Sequence, residues 1–187
     1  MDEDAANRNL IRLNVLRNAL YHTSRRLTFD RWNRWFSFLV IIFGASAAAD
    51  LFKSVNFNQW SGYAGFAAAV VGAMQLVFDF SGKARDHQAL QRDYYHLLAE
   101  IEEIPNSGQS EHAIWQAKMT RIAGDEPPVF RALDAKAYND ALSGLGVYPM
   151  DQRIVIPWHH RILGQIWAFE GYNYKLVSEL ESGPKLT

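Results

Sequence analysis

The sequence predicts an all-α protein organised around a two-span transmembrane helical hairpin, with long cytoplasmic helical extensions and a small C-terminal helical region. Three observations lead there: two neighbouring stretches almost free of charge, an excess of Arg on one side of them, and apolar stripes at helical spacing through most of the rest. With 187 residues, one functional unit is expected. A formal net charge of −1 lacks the polycationic character on which nucleic-acid binding rests, so no nucleic acid is expected as a partner. The absence of cysteine removes disulfides, thiolate metal sites and Cys nucleophiles together. The opening MDEDAANRNLIR has neither the basic start nor the apolar core of a cleaved signal peptide, and secretion is not expected.

Residues 1–34 read as an N-terminal amphipathic cytoplasmic helix. Leu10, Leu13, Leu16, Leu20 and Leu27 form its apolar stripe, with Arg8, Arg12 and Arg26 displaced from it.

Residues 35–80 form the hairpin. From Trp35 to Ala49 no residue is charged, and only Asp50 interrupts before Leu51 and Phe52. As a helix, residues 35–52 rise about 27 Å, close to the hydrocarbon thickness of a thin bilayer. The second stretch, Trp60 to Phe78, rises about 28 Å and carries no charge. The seven residues between them, KSVNFNQ, suffice only for a tight turn. A soluble bundle with two fully buried apolar helices is the competing fold, but the polar remainder is too short to enclose both. Lys and Arg near a span stay cytoplasmic. Arg8, Arg12, Arg17, Arg25, Arg26, Arg31 and Arg34 precede the first stretch, Lys83, Arg85 and Arg92 follow the second, and the turn offers only Lys53. Both ends are therefore expected in the cytoplasm of a cell with an inner membrane. Trp32, Trp35, Phe36, Trp60 and Tyr63 fit interfacial aromatic belts.

Small and polar residues recur along one face of the second stretch, at Ser61, Gly65, Ala68, Gly72, Gln75, Asp79 and Gly82. The first stretch offers Gly44, Ala45, Ala48 and Ala49. Gly44, Ala48, Gly65, Ala68 and Gly72 are the expected helix-packing positions, since small residues let two backbones approach. Ser46, Gln75 and Asp79 are candidate pore-lining residues, because polar groups within a span face protein or water. Packing is preferred over pore lining for Ser46 and Gln75, and Asp50 and Asp79 fit the headgroup zone equally well. A single hairpin encloses no water, so an aqueous path requires a homo-oligomer in the lipid bilayer.

Residues 81–104 read as a cytoplasmic helix continuing the second span. His87, Leu90, Tyr94, Leu97, Ile101 and Ile104 follow the spacing of a coiled-coil seam, of which Leu90, Tyr94, Leu97 and Ile101 are the centre. Asp86, Asp93 and Glu100 lie beside it, and an antiparallel pairing of this acidic edge with the basic N-terminal helix is expected.

Residues 105–187 read as a C-terminal helical cytoplasmic region. Pro105 to Gly108 break the chain, and a segment with Ile114, Trp115, Met119 and Ile122 follows. After Pro127 and Pro128, a helix from about Phe130 to Leu142 stops at Gly144 and Gly146. Pro157 begins a last one, PWHHRILGQIWAF, with Trp158, Ile162, Leu163, Ile166 and Trp167 on one side. That side could lie in the membrane interface or pack on the bundle, and packing is preferred.

Chemistry is sparse. His159 and His160 are adjacent and read as polar surface or interface residues, while His22, His87, His96 and His112 are dispersed, so no metal site is expected. Gly82-Lys83 lacks the upstream glycine of a phosphate loop, where Val77 stands instead. No catalytic motif appears, and neither an enzyme nor a cofactor is expected.

The order of N-terminal helix, two spans and then RDHQALQRDYYHLLAEIE resembles the SLATT superfamily of two-span bacterial proteins. DEPPVFRALDAKAYNDALSGLG and IVIPWHHRILGQIWAF are similar to the C-terminal region of some SLATT groups, so the likeness runs from about Tyr21 onward. It rests on hydropathy and on Arg92, Tyr94, Leu97, Tyr138 and Asn139. The resemblance implies a membrane effector of bacterial conflict systems, in which a nucleotide-sensing cytoplasmic partner triggers pore formation or membrane disruption. A membrane-anchored helical scaffold without channel activity is the alternative.

Overall fold

The computed structural model describes residues 3–52 and 59–182, except for the side chains of residues 50–52, 59–61 and 181. The expected turn KSVNFNQ, and the side chains of Asp50, Trp60 and Ser61, therefore lie outside the described residues. The chain is helical: α1 (Glu3–Phe52), α2 (Gln59–Phe78), α3 (Phe80–Glu103), α4 (Gln109–Ala123), α5 (Arg131–Leu145), α6 (Trp158–Leu163) and α7 (Val177–Glu181), with a 3-10 turn at Met150–Gln152. Among the described residues the only extended pairing is an isolated antiparallel bridge, Ile154 to Leu176. Two compact units form: one holds the residues up to Ser24 and those from His87 onward, the other is Arg25–Asp86. The second is wider than the expected hairpin of 35–80, because helical packing continues past the apolar stretch at both ends.

In the first unit, the N-terminal part of α1 packs antiparallel to α3. Ile11, Val15 and Ala19 meet Tyr94, Leu97 and Ile101, and Trp115 of α4 closes the cluster. Arg8 donates to the Ile101 carbonyl at 2.9 Å at one end, and His22 meets His87 at the other. The expected seam on α3 is therefore the core: Leu90, Tyr94, Leu97 and Ile101 are all buried. The stripe on α1 differs from the one expected. Leu10 and Leu27 are about half exposed, and the face turned to α3 runs through Ile11, Val15, Ala19 and His22. Leu13, Leu16 and Leu20 instead meet α5, around Ala141, Leu142 and Tyr138.

The acidic edge also differs. Arg8 and Arg12 pair with Glu102, at 3.2 and 2.6 Å, whereas Glu100 pairs with Lys118 of α4 and Asp93 with its neighbour Arg92. These pairs are at least partly exposed and add little, so the apolar contacts hold the helices together.

Local chemistry sets the ends of the later elements. Pro105 disfavours helical geometry at Ile104, and α3 stops at Glu103. Glu111 accepts a hydrogen bond from the Gly108 N–H, closing the start of α4. Gly146, at φ 64°, ends α5 with its N–H on the Leu142 carbonyl. Asn139 of α5 donates to the Ile154 carbonyl and accepts from the Ile154 N–H, both at 2.8 Å, and so pins the bridged strand-like segment to the helix.

In the second unit, α1 and α2 run antiparallel. Gly65 faces Ala47, Gly72 faces Val40, and Gln75 faces Asn33 and Ser37. Among the described residues one helical stretch, Gly62–Glu103, which runs from α2 through Asp79 into α3, is long and apolar enough to cross a membrane, and none of its apolar window is buried. The stretch expected as the first span ends in residues whose side chains are not described.

Candidate functional site

Two places concentrate polar groups where the surroundings are apolar: the inner face of the hairpin, and a buried cluster between α1, α3 and the α4–α5 connection.

The hairpin is apolar outside and small or polar inside. Trp35, Phe38, Ile41, Phe66, Leu76 and Val77 are all exposed, Leu76 by 82%. On the inner side, an added Cβ on Gly65 would lie 3.7 Å from the Ala47 Cβ, and one on Gly72 would lie 4.0 Å from Val40. Both expected packing glycines of α2 thus stand at the contact. Gly44 does not, since nothing lies within 4 Å of where its Cβ would be; Val40 and Ala47, about two turns apart, take that role in α1. Ala48 and Ala68 are half-buried.

The expected pore-lining residues are partnered within the chain. Gln75 donates to Asn33 at 2.8 Å and to Ser37 at 2.9 Å. Ser46 donates to the Ile42 carbonyl of its own helix at 2.9 Å. Asp79 stands between two helices, at φ 42°. Its N–H caps α2 on the Gln75 carbonyl at 3.1 Å, as a left-handed terminal residue does. Its carboxylate caps α3 by accepting the Gly82 N–H at 2.9 Å, and its carbonyl accepts the first helical hydrogen bond, from Lys83. A Cβ on Gly82 would lie 2.0 Å from Asp79 Oδ2, so a larger residue there would push the capping carboxylate aside.

The second cluster joins residues far apart in sequence. His22 and His87 are buried, and their Nδ1 atoms stand 2.8 Å apart. His22 Nε2 lies 3.1 Å from Glu126 Oε1, an ion-pair distance with imperfect hydrogen-bond alignment. The fully buried Tyr94 hydroxyl makes a short hydrogen bond to the same oxygen, and the Tyr94 ring stacks on His22. Tyr21 sets its edge against both imidazoles. Arg17, held in a two-pronged pair by Asp134, adds positive charge nearby.

The electrostatics follow from this arrangement. Burial, and then the hydrogen bond and charge of Glu126, push the Tyr94 hydroxyl well above the ordinary phenol range. Burial alone would raise the Glu126 carboxyl; the hydrogen bonds from His22 and Tyr94, with the charges of His22 and Arg17, outweigh it and leave the carboxyl below its ordinary value. Glu126 is therefore an anion held by two donors. Two N–H groups cannot share one hydrogen bond, so only one of the facing Nδ1 atoms donates and a single proton lies between the rings. Two imidazole nitrogens ligating one metal at 2.0–2.1 Å would stand about 3.3 Å apart, so this contact is a hydrogen bond and not an empty ligand pair. Among the described residues no group of three His, Cys, Asp or Glu is placed to hold a metal ion.

His22 and His87 are dispersed in the sequence, and the fold brings them together. The signal was their phase: His87 opens the seam of α3, and His22 ends the buried stripe of α1. His160, expected at a surface or interface, is buried. Its Nδ1 stands 2.7 Å from the Tyr174 hydroxyl, its ring stacks on Phe169 at 3.7 Å, and burial, with the neighbouring His159, holds it below the ordinary imidazole value.

Comparison with family models, curated proteins and solved structures returns no match.

Proposed function

We propose that this chain is a two-span protein of the bacterial inner membrane, with both ends in the cytoplasm, that assembles into homo-oligomers and opens a pore in the membrane or perturbs it. The observation that carries the reading is the inverted hairpin, in which large apolar side chains face outward and Gln75, Gly65 and Gly72 face inward. In water such a surface would cost free energy for every exposed ring and branched chain; in lipid it costs none, and polar groups are best satisfied between the helices. The excess of Arg before α1's apolar stretch and of Lys and Arg after α2 supports the orientation. A lone hairpin encloses no channel, so conduction requires several copies.

The resemblance to the SLATT superfamily adds a role in bacterial defence, with a cytoplasmic sensor protein as the trigger. Nothing in the chain's own chemistry calls for a cofactor or a reaction. The packing of Gln75 onto Asn33 and Ser37 favours a second reading, a membrane-anchored helical scaffold without channel activity, because the polar group is already satisfied inside one hairpin.

Dye release from liposomes carrying the purified chain separates the two. The effector reading expects leakage that Gly72→Leu abolishes, because a leucine there meets Val40 and spreads the helices. A tight membrane under every activating condition leaves the scaffold, and a protein monodisperse in buffer without detergent ends both readings.

A further inference from the structure

Residues 157–168 are built inside out. His160, Gly164 and Gln165 face the protein: His160 is 5% exposed, an added Cβ on Gly164 would lie 3.0 Å from the Ala132 Cβ, and Gln165 donates to Ser24 at 2.7 Å. The opposite side presents Trp158, Ile162, Ile166 and Trp167, exposed by 75, 66, 64 and 67%. The preferred expectation, that this apolar side packs on the bundle, is thereby overturned. Gly164 explains the inversion, since only a glycine lets the helix lie this close to α5, and the large residues are left on the far side.

Four large side chains in a row on a surface held rigidly from behind need a cover. We infer that residues 158–167 dock on an anionic lipid surface, with the Trp158 and Trp167 rings at headgroup depth. This inference rests on the membrane reading above. Charge selects lipid over a second copy of the chain: the exposed Arg161 lies on the segment, and no Asp or Glu occurs between Asp151 and Glu170. A face that is cationic as well as apolar repels its own copy and suits an anionic leaflet. Tryptophan at both ends of a short amphipathic segment is the pattern of interfacial segments, where an amphipathic ring has one apolar and one wet side.

The chain has no cysteine, so single-cysteine variants of the full protein take a nitroxide at one place only. Labels at Ile162→Cys, at Lys136→Cys on the exposed side of α5, and at Leu76→Cys on the hairpin are compared in reconstituted vesicles by collision with oxygen and with a water-soluble nickel chelate. In phosphatidylcholine–phosphatidylglycerol vesicles, the label at 162 is expected to favour oxygen several-fold over the label at 136. That preference is expected to fall several-fold in pure phosphatidylcholine, and in anionic vesicles when Arg161→Glu is added. A label at 162 as open to nickel as the one at 136 overturns the inference, as does one hidden from both reagents with spin–spin broadening, which marks a second copy. Equal burial in both lipids overturns the anionic preference. A water-exposed label at 76 overturns the membrane reading beneath it, whereas a lipid-exposed 76 with a water-exposed 162 overturns the docking alone.

Discussion

Removing the Glu126 carboxylate should loosen the α1–α3 packing out of proportion to its size. In Glu126→Ala, the Tyr94 hydroxyl and His22 Nε2 both lose their acceptor, and both side chains are essentially sealed from water. A buried donor left unsatisfied costs about 1–3 kcal/mol, so the two together cost about 2–6 kcal/mol. That is a large share of the roughly 5–15 kcal/mol that holds a typical domain folded. Tyr94→Phe alone removes a hydrogen bond to a charged group and costs about 1.5–3 kcal/mol. The double variant is the informative one. Without the hydroxyl, losing Glu126 strands only His22, so the two costs should fall short of additivity by about 2.5–6 kcal/mol, the stranded Tyr94 donor and the hydrogen bond that Tyr94→Phe removes. Hydrogen exchange at the α3 amides from Leu90 to Ile101, in the full chain in detergent micelles, reads the opening free energy directly. Additivity within about 0.5 kcal/mol would show that the two groups act independently, and the reasoning would fail.

Two further outcomes follow from the same geometry. Glu126 has a folded value below the ordinary 4.5 of its carboxyl, so its contribution is fully present above that value and is lost as pH falls through the folded one; acidification below 4.5 should reduce α3 protection more in the natural chain than in Glu126→Gln, and equal acid slopes in the two would refute the assignment. At the α2–α3 junction, Asp79→Ala loses a cap worth about 0.5–2 kcal/mol with nothing in return, whereas Gly82→Ala displaces the same carboxylate yet regains up to about 1 kcal/mol of helix propensity. Exchange at the first turn of α3 should therefore speed up clearly in Asp79→Ala and little in Gly82→Ala, and the opposite order would exclude the capping role.

How far the sequence could be read depends on which forces were local. The α3 seam was legible because Leu90, Tyr94, Leu97 and Ile101 share one helix face and that face is the core. On α1 the leucines misled, since they mark the side turned to α5, while the side turned to α3 is made by Ile11, Val15, Ala19 and His22, a shorter apolar run that ends in a small and a polar residue. The packing role of Gly65 and Gly72 was legible from spacing; that Val40 and Ala47, and not Gly44, oppose them depends on the rotation of α1, which no local pattern fixes. In the last expected helix, the apolar side was seen and its direction was not, because the close approach of Gly164 to Ala132 is a contact between segments about thirty residues apart. The His22–His87 pair spans 65 residues and was invisible for the same reason.

That pair also limits how the chain can drift. Since one ring must donate where the other accepts, a change at position 22 alone removes that partner from His87 and also takes His22 away from the Glu126 carboxylate, so exchanging both histidines for apolar residues still leaves the buried anion with one donor fewer. Variation in natural sequences should therefore reach positions 22, 87 and 126 together, and homologues that replace His22 freely while keeping Glu126 would contradict it.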